Sequence, residues 1–301
     1  MRSTLFAKLP LDGLSPELLR AARWVEAHPR EVALHSMREC ARRAELAPAS
    51  LSRLAAALGF PGFEAIKQLC QASFTAQAGF AGRAEVLQAS ARRSQDWLGQ
   101  LNETQHANTA SICGLNEVSQ LEAAADAMLA ARRVYFLGLR ANHGLALHLH
   151  YTYGLLAANG VLVQGLGGTL GDEIDEIGAG DLLVALSLAP YTQQTVDAVA
   201  QALAQGAELL VLTDSALAPI ARSAGHMLLF RADSPSYFQS MVGALALAEA
   251  LSAAVAVRGG RQVLSRLRER QQRLASQGAY WERGEKPATV RLTKTNSRKK
   301  V

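Results

Sequence analysis

The chain has 301 residues, of which 49% are apolar and 19% are charged, which excludes an intrinsically disordered protein and leaves room for two domains. Its three cysteines share no metal-binding spacing and suggest no disulfide framework, so we expect a reduced, cytoplasmic protein without a metal centre. The longest apolar stretch, Met241 to Val257, is interrupted by Glu249, and the first residues lack the apolar run of a signal peptide, so we expect no membrane association.

The charge is unevenly distributed along the chain. The net charge is +3 over residues 1–80, −1 over 81–133, −7 over 134–257 and +10 over 258–301. Basic ends suit a polyanion such as DNA. The last segment, 281–301, is predicted to be a disordered basic tail, which either is a solvated end or adds an accessory contact to DNA.

The N-terminal residues predict a cluster of short helices. Ser15 offers a capping hydroxyl, Pro16 stands at the first helical position and Glu17 places an acid in the first turn. Further short helices are predicted at Met37–Ala44, Ala49–Leu58 and Phe63–Phe74. We therefore predict an all-α domain over residues 1–80 and a helical linker over 81–114.

The segment from residue 39 to residue 63 has the pattern of a helix-turn-helix. This motif needs two short helices at a fixed angle, with small or apolar residues where they touch, and Ala41 and Leu46 meet that need. Pro48 gives the second helix a defined start. Leu51 and Leu54 lie on its buried face. We predict that four side chains in its N-terminal half point outward and contact double-stranded DNA: Ala49, Ser50, Ser52 and Arg53.

This segment resembles the N-terminal domain of the MurR/RpiR family of phosphosugar-responsive regulators. The resemblance rests on Ser36-Met37-Arg38-Glu39 with Ala41, on Ser50-Leu51-Ser52-Arg53-Leu54, and on Leu58-Gly59-Phe60-Pro61-Gly62-Phe63 followed by Lys67. It implies a DNA operator as partner and adds Lys67 to the DNA-contacting residues. Glu45 stands where the family's turn has glycine, and Ala47 where a serine or threonine caps the second helix, a loss of roughly 1 kcal/mol. The alternative is that these helices serve only for dimerisation.

From residue 134 onwards, apolar runs alternate with amphipathic helices. Five runs are typical of strands buried on both faces: Val134–Gly138, Val161–Val163, Leu182–Leu186, Leu209–Leu212 and Met227–Phe230. The predicted helices between and after them are His143–Ala158, Thr195–Gln205, Pro219–Ser223, Phe238–Val257 and Gln262–Gln277. The alternation predicts a right-handed, doubly wound, five-stranded parallel sheet in an α/β domain over residues 115–280.

Two loops of this sheet predict a ligand site. Ligands of open parallel sheets bind where the strand order reverses, which for the order 2-1-3-4-5 is between the first and third strands. The loops there are Gly138–Gly144 and Ser187–Thr195, and both bring polar side chains to a helix start, where free N–H groups favour an anion. Arg140 is the single Lys or Arg between Val134 and Leu212. It either contacts the ligand or forms an ion pair with one of the acids at positions 172–176.

The same loops resemble the sugar isomerase (SIS) fold, a phosphosugar-binding domain, and this resemblance spans residues 115–257. Ser187 and Thr192 match the ends of the family's Ser-x-Ser-Gly-x-Thr phosphate loop, whereas Ala189 and Pro190 replace its inner serine and glycine. Asn142 stands where the first loop carries serine. Because these changes remove donors, the ligand is either a sugar phosphate or an unphosphorylated sugar, polyol or sugar acid. The predicted ligand-contacting residues are Arg140, Asn142, His143, Ser187, Ala189, Tyr191 and Thr192.

Together these features predict a transcriptional regulator, a homodimer or homotetramer without a cofactor, whose operator affinity responds to a carbohydrate effector. An attached DNA-binding domain favours a sensor over an enzyme. The alternative is a sugar-phosphate isomerase, with Glu173 or Asp175 as base and His143 as ring opener. A second alternative is a degenerate domain that only dimerises. Metal ligation by His143 and His150 is disfavoured, because no further ligand is placed to complete a site.

Overall fold

The computed structural model describes residues 14–67, 70, 79–92 and 96–281. The strands are β1 Val134–Gly138, β2 Gly160–Leu162, β3 Leu182–Ser187, β4 Glu208–Thr213 and β5 His226–Leu229. The helices of the N-terminal half are α1 Pro16–Ala27, α2 Pro29–Leu34, α3 Met37–Arg43, α4 Pro48–Ala57, α5 Phe80–Ala91, α6 Trp97–Ala110, α7 Ile112–Leu115 and α8 Val118–Ala130. Those of the C-terminal half are α9 Asn142–Leu156, α10 Leu170–Asp175, α11 Gln193–Ala204, α12 Val242–Arg258 and α13 Gly260–Ser276.

The first four helices form a small apolar core of their own. Helix α1 begins as predicted, because the Ser15 hydroxyl accepts from the Leu18 N–H at 3.3 Å and proline occupies the first turn. Ala41 on α3 and Leu51 and Leu54 on α4 are fully buried in this core. The packing of α3 against α4 through a small residue is the arrangement that the helix-turn-helix pattern predicted.

The turn between α3 and α4 tolerates both departures from the family pattern. Glu45 adopts φ 55°, a left-handed conformation that glycine reaches at lower cost. Ala47 occupies the N-cap of α4 without any side-chain capping bond. The turn is closed instead by the backbone, since the Leu46 N–H donates to the Ala41 carbonyl at 2.9 Å.

The five strands form one parallel sheet in the order β2-β1-β3-β4-β5, which confirms the predicted doubly wound domain. One face packs on α8, α9 and α12, and the other packs on α10 and α11. Every residue of β1 and β3 is buried, as expected for central strands covered on both faces. The carboxyl ends of these two strands therefore meet at the middle of one sheet edge.

Several predicted element boundaries differ from the observed ones. Residues 63–67 are helical as expected, but most of the remaining helix predicted to Phe74 lies outside the described residues. The helix predicted at Pro219–Ser223 is a single 3-10 turn, Ala221–Ser223. Helices α2 and α10 are six residues each and carry too few turns for a periodic signal.

The predicted linker is helical and packs on the sheet domain. Helix α6 contacts α12, and Asn108 of α6 donates to the Asp233 carbonyl at 2.8 Å. Just beyond it, the amide of Asn116 pairs with both backbone groups of Leu229, at 2.7 Å each, and so completes the outer edge of β5. One side chain thus satisfies backbone groups at the edge of the sheet that would otherwise be unpaired.

Within the described residues, no single helix is long and apolar enough to cross a membrane. The pair α12 and α13, bent by 111° at their junction, passes the same length and composition test only when taken together.

Candidate ligand cavity and candidate nucleic-acid face

A cavity of about 390 Å³ opens beyond the carboxyl ends of β1 and β3, where the strand order reverses. Its lining residues come from the loops after β1 and β3, from the segment before α12, and from the first residue of α5: Phe80, Arg140, Ala141, Asn142, Leu188, Ala189, Pro190, Tyr191, Thr192, Gln193, Phe238 and Gln239. The cavity therefore lies between the two loops in which the sequence predicts a ligand site.

Two helices begin at this cavity. Helix α9 starts at Asn142 and helix α11 at Gln193, and the first residue of each lines the cavity. The first N–H groups of a helix have no intrahelical partner, and in α9 those of Asn142 and His143 donate to the preceding turn at 3.1 Å each. Thr192 is the N-cap of α11, its hydroxyl makes no capping bond, and the residue lines the cavity. Two helix starts, each equivalent to about half a positive charge, make the cavity favourable for an anion.

Arg140 supplies the one formal charge among the lining residues that the structure describes. It is solvent-exposed at φ 56° and forms no ion pair within the described part of the chain. None of the acids at positions 172–176 forms an ion pair with Arg140, and two of them, Glu173 and Asp175, have other hydrogen-bond partners. Glu173 accepts from the backbone N–H groups of Gln164 and Gly165 at 2.7 and 2.8 Å.

Two amide oxygens at the cavity lack a hydrogen-bond partner among the described residues. Asn142 is only 8% exposed, and its Oδ1 atom is buried and unpaired. The Oε1 atom of Gln239 is in the same state. A buried acceptor without a donor costs on the order of 1–3 kcal/mol, and both atoms are covered by the surrounding protein, so they are not directly accessible from the cavity.

The loop between β3 and α11 is held from behind by Asp214, which follows β4. One carboxylate oxygen of Asp214 accepts from the Ala189 N–H at 3.3 Å, and the other accepts from the Tyr191 hydroxyl at 3.1 Å. Burial, together with the Asp214 carboxylate, raises the pKa of Tyr191 to about 12, so the phenol remains a neutral donor. Sequence reasoning missed Asp214, although an aspartate directly after a buried strand is a signal for this sheet edge.

Two predicted ligand residues lie outside the cavity wall. Ser187 is the last residue of β3 and is buried in the sheet, while its neighbour Leu188 lines the cavity. The His143 ring turns back toward β1, with Nδ1 3.3 Å from the Gly138 carbonyl. Arg140, Asn142, Ala189, Tyr191 and Thr192 are brought together as expected.

The remaining wall is aromatic and was not predicted. Phe80 of α5 and Phe238 stack with ring centroids 5.3 Å apart and an interplanar angle of 27°. Both residues line the cavity, and they are adjacent in space although they lie far apart along the chain. Phe80 is the last residue of the predicted N-terminal domain, at its border with the predicted linker, so no motif of the α/β domain could have identified it.

A second surface, formed by the outer face of α4, is the candidate nucleic-acid face. Ala49, Ser52 and Arg53 are exposed there, with the Arg53 side chain 61% accessible. Arg53 donates to the Glu17 carboxylate at 3.2 Å and to the Ser50 hydroxyl at 3.4 Å. Glu39 holds Arg42 in a similar way, and these hydrogen bonds lower the pKa of Glu39 to about 2.

Two residues predicted to point outward point inward instead. Ser50 is 0% exposed and hydrogen-bonds to the Glu17 carboxylate. It shares a helix face with buried Leu54, because residues four apart lie on the same side. Lys67 is 6% exposed, since it follows Phe63 by four positions and lies on the buried face of its helix. The prediction that Ser50 points outward is therefore wrong, and the burial of Lys67 argues against the DNA contact that the family resemblance implies for it.

The acids proposed for isomerisation do not line the cavity. Glu173 holds the 164–165 backbone, as described above, and Asp175 accepts from the Gln201 amide on α11. Both are committed to positioning α10 and its neighbours. In the described residues, no group of three His, Cys, Asp or Glu side chains is placed to hold a metal ion.

Comparison with known proteins identifies the α/β region. The family model described as the SIS domain matches residues 127–255. The sugar isomerase domain of an RpiR transcription factor from Sphaerobacter thermophilus is 27% identical, with a TM-score of 0.56, over 59% of this chain and 99% of that one. NanR from Vibrio vulnificus, solved in complex with ManNAc-6P, is 17% identical with a TM-score of 0.56, over 92% of this chain and 98% of that one.

An enzyme domain is among the weaker structural similarities. The C-terminal domain of glucosamine-fructose-6-phosphate aminotransferase from Francisella tularensis is 15% identical with a TM-score of 0.45, over 71% of this chain and 54% of that one. No relative among curated protein sequences matches this chain. Since one fold hosts several functions, the residues of the cavity must carry the functional argument.

Proposed function

Because residues 127–255 form a SIS domain, we propose that this chain is a DNA-binding transcriptional regulator whose operator affinity is controlled by a carbohydrate metabolite bound in the cavity. The resemblance of the N-terminal helices to MurR/RpiR regulators and the similarity to the RpiR transcription factor of Sphaerobacter thermophilus support this proposal.

The observation that carries the proposal is the polarity of the cavity. It combines the Arg140 cation and two helix starts with three polar lining residues, Thr192, Asn142 and Gln239. This set matches a hydroxyl-rich molecule with one anionic group, either a phosphate or a carboxylate. NanR of Vibrio vulnificus, which shares the fold, was solved with a sugar phosphate. The aromatic pair of Phe80 and Phe238 suits the C–H face of a sugar ring.

The proposed DNA contact uses the outer face of α4. Ala49, Ser52 and Arg53 lie near the N-terminal half of this helix, which in a helix-turn-helix enters the major groove. A homodimer or homotetramer would hold two such helices about one DNA turn apart on a palindromic operator. A ligand that favours one arrangement of the subunits then changes operator affinity by its differential binding, typically about 1–3 kcal/mol.

We place this regulator in the cytoplasm, where DNA and metabolites are both present. Burial raises the pKa of Cys40 to about 11 and that of Cys70 to about 12, so both thiols stay protonated and unreactive. A reducing compartment is consistent with such cysteines.

An isomerase requires a base beside the substrate carbonyl. Glu173 and Asp175 are both engaged away from the cavity, and the lining residues among the described part of the chain include no carboxylate. These positions favour a sensor.

The proposal is tested by fluorescence anisotropy with DNA from the promoter next to the protein's own gene. The DNA is titrated with the protein in the absence of any added compound and then in the presence of each member of a panel: glucose 6-phosphate, N-acetylmannosamine 6-phosphate, 6-phosphogluconate, gluconate and the free sugars. We expect salt-dependent binding of the promoter, and a shift in its affinity with at least one anionic panel member. Turnover of a sugar phosphate at ordinary enzyme rates, or binding that does not distinguish promoter from unrelated DNA, would contradict it.

A further inference from the structure

We infer that Phe80, from outside the SIS domain, is an effector-contacting residue, and that helix α5 thereby transmits occupancy of the cavity to the DNA-binding helices. This inference rests on the proposed function. It assigns to the effector a flat C–H face, as on a pyranose or furanose ring, that packs on the Phe80–Phe238 pair while its anionic group meets Arg140 and the two helix starts.

The position of Phe80 is the first argument. It is the first residue of α5 and lines the cavity together with Phe238, against which it stacks. Phe80 nevertheless remains 47% exposed, so the protein leaves part of this residue uncovered. The amide residues Asn142 and Gln239 belong to the same lining, so polar side chains and an aromatic platform meet at one cavity.

The second argument is that α5 is held to the SIS domain by a contact that is incompletely satisfied. Arg83, one turn after Phe80, is 8% exposed and donates to the Ser234 carbonyl at 3.4 Å. Its Nε atom has no partner in the described part of the chain, and burial lowers its pKa. A buried cation without a carboxylate is costly. The contact that holds α5 to the SIS domain is therefore incompletely hydrogen-bonded.

The third argument is that the other side of α5 touches the DNA-binding helices. Glu85 forms an ion pair with Arg30 of α2. Further along, Gln88 and Arg92 face Leu34 and Glu39 across a cleft of about 570 Å³ between α5 and the α2–α3 region. Helix α5 has 12 residues, or roughly 18 Å of rise, and so links the two domains as a single short rod.

These contacts form a continuous physical chain from cavity to DNA-binding domain. A ligand that presses on Phe80 displaces the start of α5, and the Glu85–Arg30 contact carries that displacement to α2. Since α2 and α3 belong to the same small core as α4, the direction of the recognition face changes with it. Occupancy of the cavity is thus coupled to the DNA-binding helices through direct contacts made by α5.

The experiment measures two quantities separately: the affinity of the protein for the compound, and the change that the bound compound causes in promoter affinity. Full-length wild-type, Phe80→Ala, Phe80→Trp and Arg140→Ala proteins, checked by circular dichroism, are titrated with the panel member that binds the wild type most tightly. Promoter affinity is then measured without and with that compound at saturation. We expect Phe80→Ala to weaken compound binding about three- to tenfold, the range of an aromatic contact, and to abolish the shift in promoter affinity even at saturation. Phe80→Trp, which keeps a flat ring, should retain both.

Two controls make the result specific. Trp97→Ala removes an equally exposed aromatic side chain from the neighbouring linker helix and should change neither quantity. Arg140→Ala should weaken binding yet preserve the promoter shift at saturation. A full promoter shift in saturated Phe80→Ala would overturn the inference while leaving the proposed function intact. A wild-type protein that binds no panel compound would instead overturn the proposed function, and this inference with it.

Discussion

The Arg53 guanidinium donates a hydrogen bond to the Glu17 carboxylate at 3.2 Å, and thus ties the proposed recognition helix to α1. The same carboxylate accepts from the buried Ser50 hydroxyl. That bond, followed by the Arg53 charge, holds the pKa of Glu17 below its usual value although burial acts in the opposite direction. Glu17 therefore stays ionised at neutral pH and orients Arg53 on an exposed surface.

Arg53→Ala is expected to weaken promoter binding. If Arg53 contacts a phosphate, the slope of log affinity against log salt falls by about 0.9, and affinity drops similarly on all sequences. If it reads a base, the loss is concentrated at one operator position. Anisotropy titrations at several salt concentrations measure both. Arg222→Ala, an exposed arginine of the SIS domain, is the matched control. Identical slopes for Arg53→Ala and wild type would exclude Arg53 from the interface.

Glu17→Gln is expected to raise promoter affinity severalfold at low salt. It removes a negative charge beside Arg53 and releases the guanidinium for a phosphate. The gain should shrink at high salt, because the Debye length falls to about 3 Å at 1 M. The double variant Glu17→Gln with Arg53→Ala should lose the gain. A Glu17→Gln protein that binds less tightly than wild type would show that Arg53 needs its partner for orientation.

The fold could be predicted from the sequence because its signals are local. Continuous apolar runs marked all five strands, and the β-α alternation fixed the strand order that places the cavity between β1 and β3. Side-chain direction was harder, as Ser50 and Lys67 demonstrate. Each lies one helical turn from a buried residue, but a polar residue on a buried face is invisible until its partner, here Glu17 for Ser50, is known.

The sequence predicts those lining residues of the cavity that lie in a loop directly after a strand, and it does not predict the others. The loops around Arg140 and Thr192 follow strands directly, so their convergence is a property of parallel sheets. Phe80 and Phe238 are 158 positions apart in the chain, and their stacking depends on how the linker packs, which no periodicity encodes. Asp214 accepts a hydrogen bond from the backbone N–H of Ala189, which belongs to a different loop, and such a contact depends on tertiary packing alone.

Arg140→Ala is expected to weaken binding of an anionic panel compound by at least tenfold. An arginine that pairs with a phosphate or carboxylate contributes more than a neutral hydrogen bond. Since Arg140 is exposed and forms no ion pair in the described residues, its loss should leave thermal stability without ligand nearly unchanged. Isothermal titration calorimetry gives the affinity, and Arg231→Ala, outside the cavity lining, serves as control. Unchanged affinity would move the anion site away from Arg140.

The Asp214–Tyr191 hydrogen bond is expected to organise the loop that carries Ala189 and Thr192. Tyr191→Phe and Asp214→Ala should each weaken compound binding, and the double variant should lose less than the sum, with a coupling of about 0.5–1.5 kcal/mol. Binding affinities of the four proteins form the double-mutant cycle. Additive losses would mean that Tyr191 and Asp214 act independently on the ligand.

The Asp181–Arg132 pair predicts a specific pH dependence of stability. Arg132 donates to both carboxylate oxygens of Asp181 at 2.9 and 2.6 Å, and the Gly178 N–H adds a third bond at 3.1 Å. The Asp181 side chain is 0% exposed, and burial alone would raise its pKa, but the bonds from Arg132 and Gly178 outweigh burial and hold the pKa below 3.8.

A folded-state pKa below the unfolded one means that stabilisation is complete above about pH 4 and is lost as the pH falls through the folded value. Asp181→Asn should therefore cost about 1–2 kcal/mol at pH 7, a modest figure because Arg132 is 63% exposed and screened by water. The cost should diminish progressively below pH 3.8. Urea unfolding of both proteins between pH 7 and pH 2.5 measures it, and Asp172→Asn, an exposed aspartate of the same domain, is the control. A cost for Asp181→Asn that is equal at pH 7 and pH 2.5 would show that the carboxylate stabilises the fold by packing alone and that its charge contributes nothing.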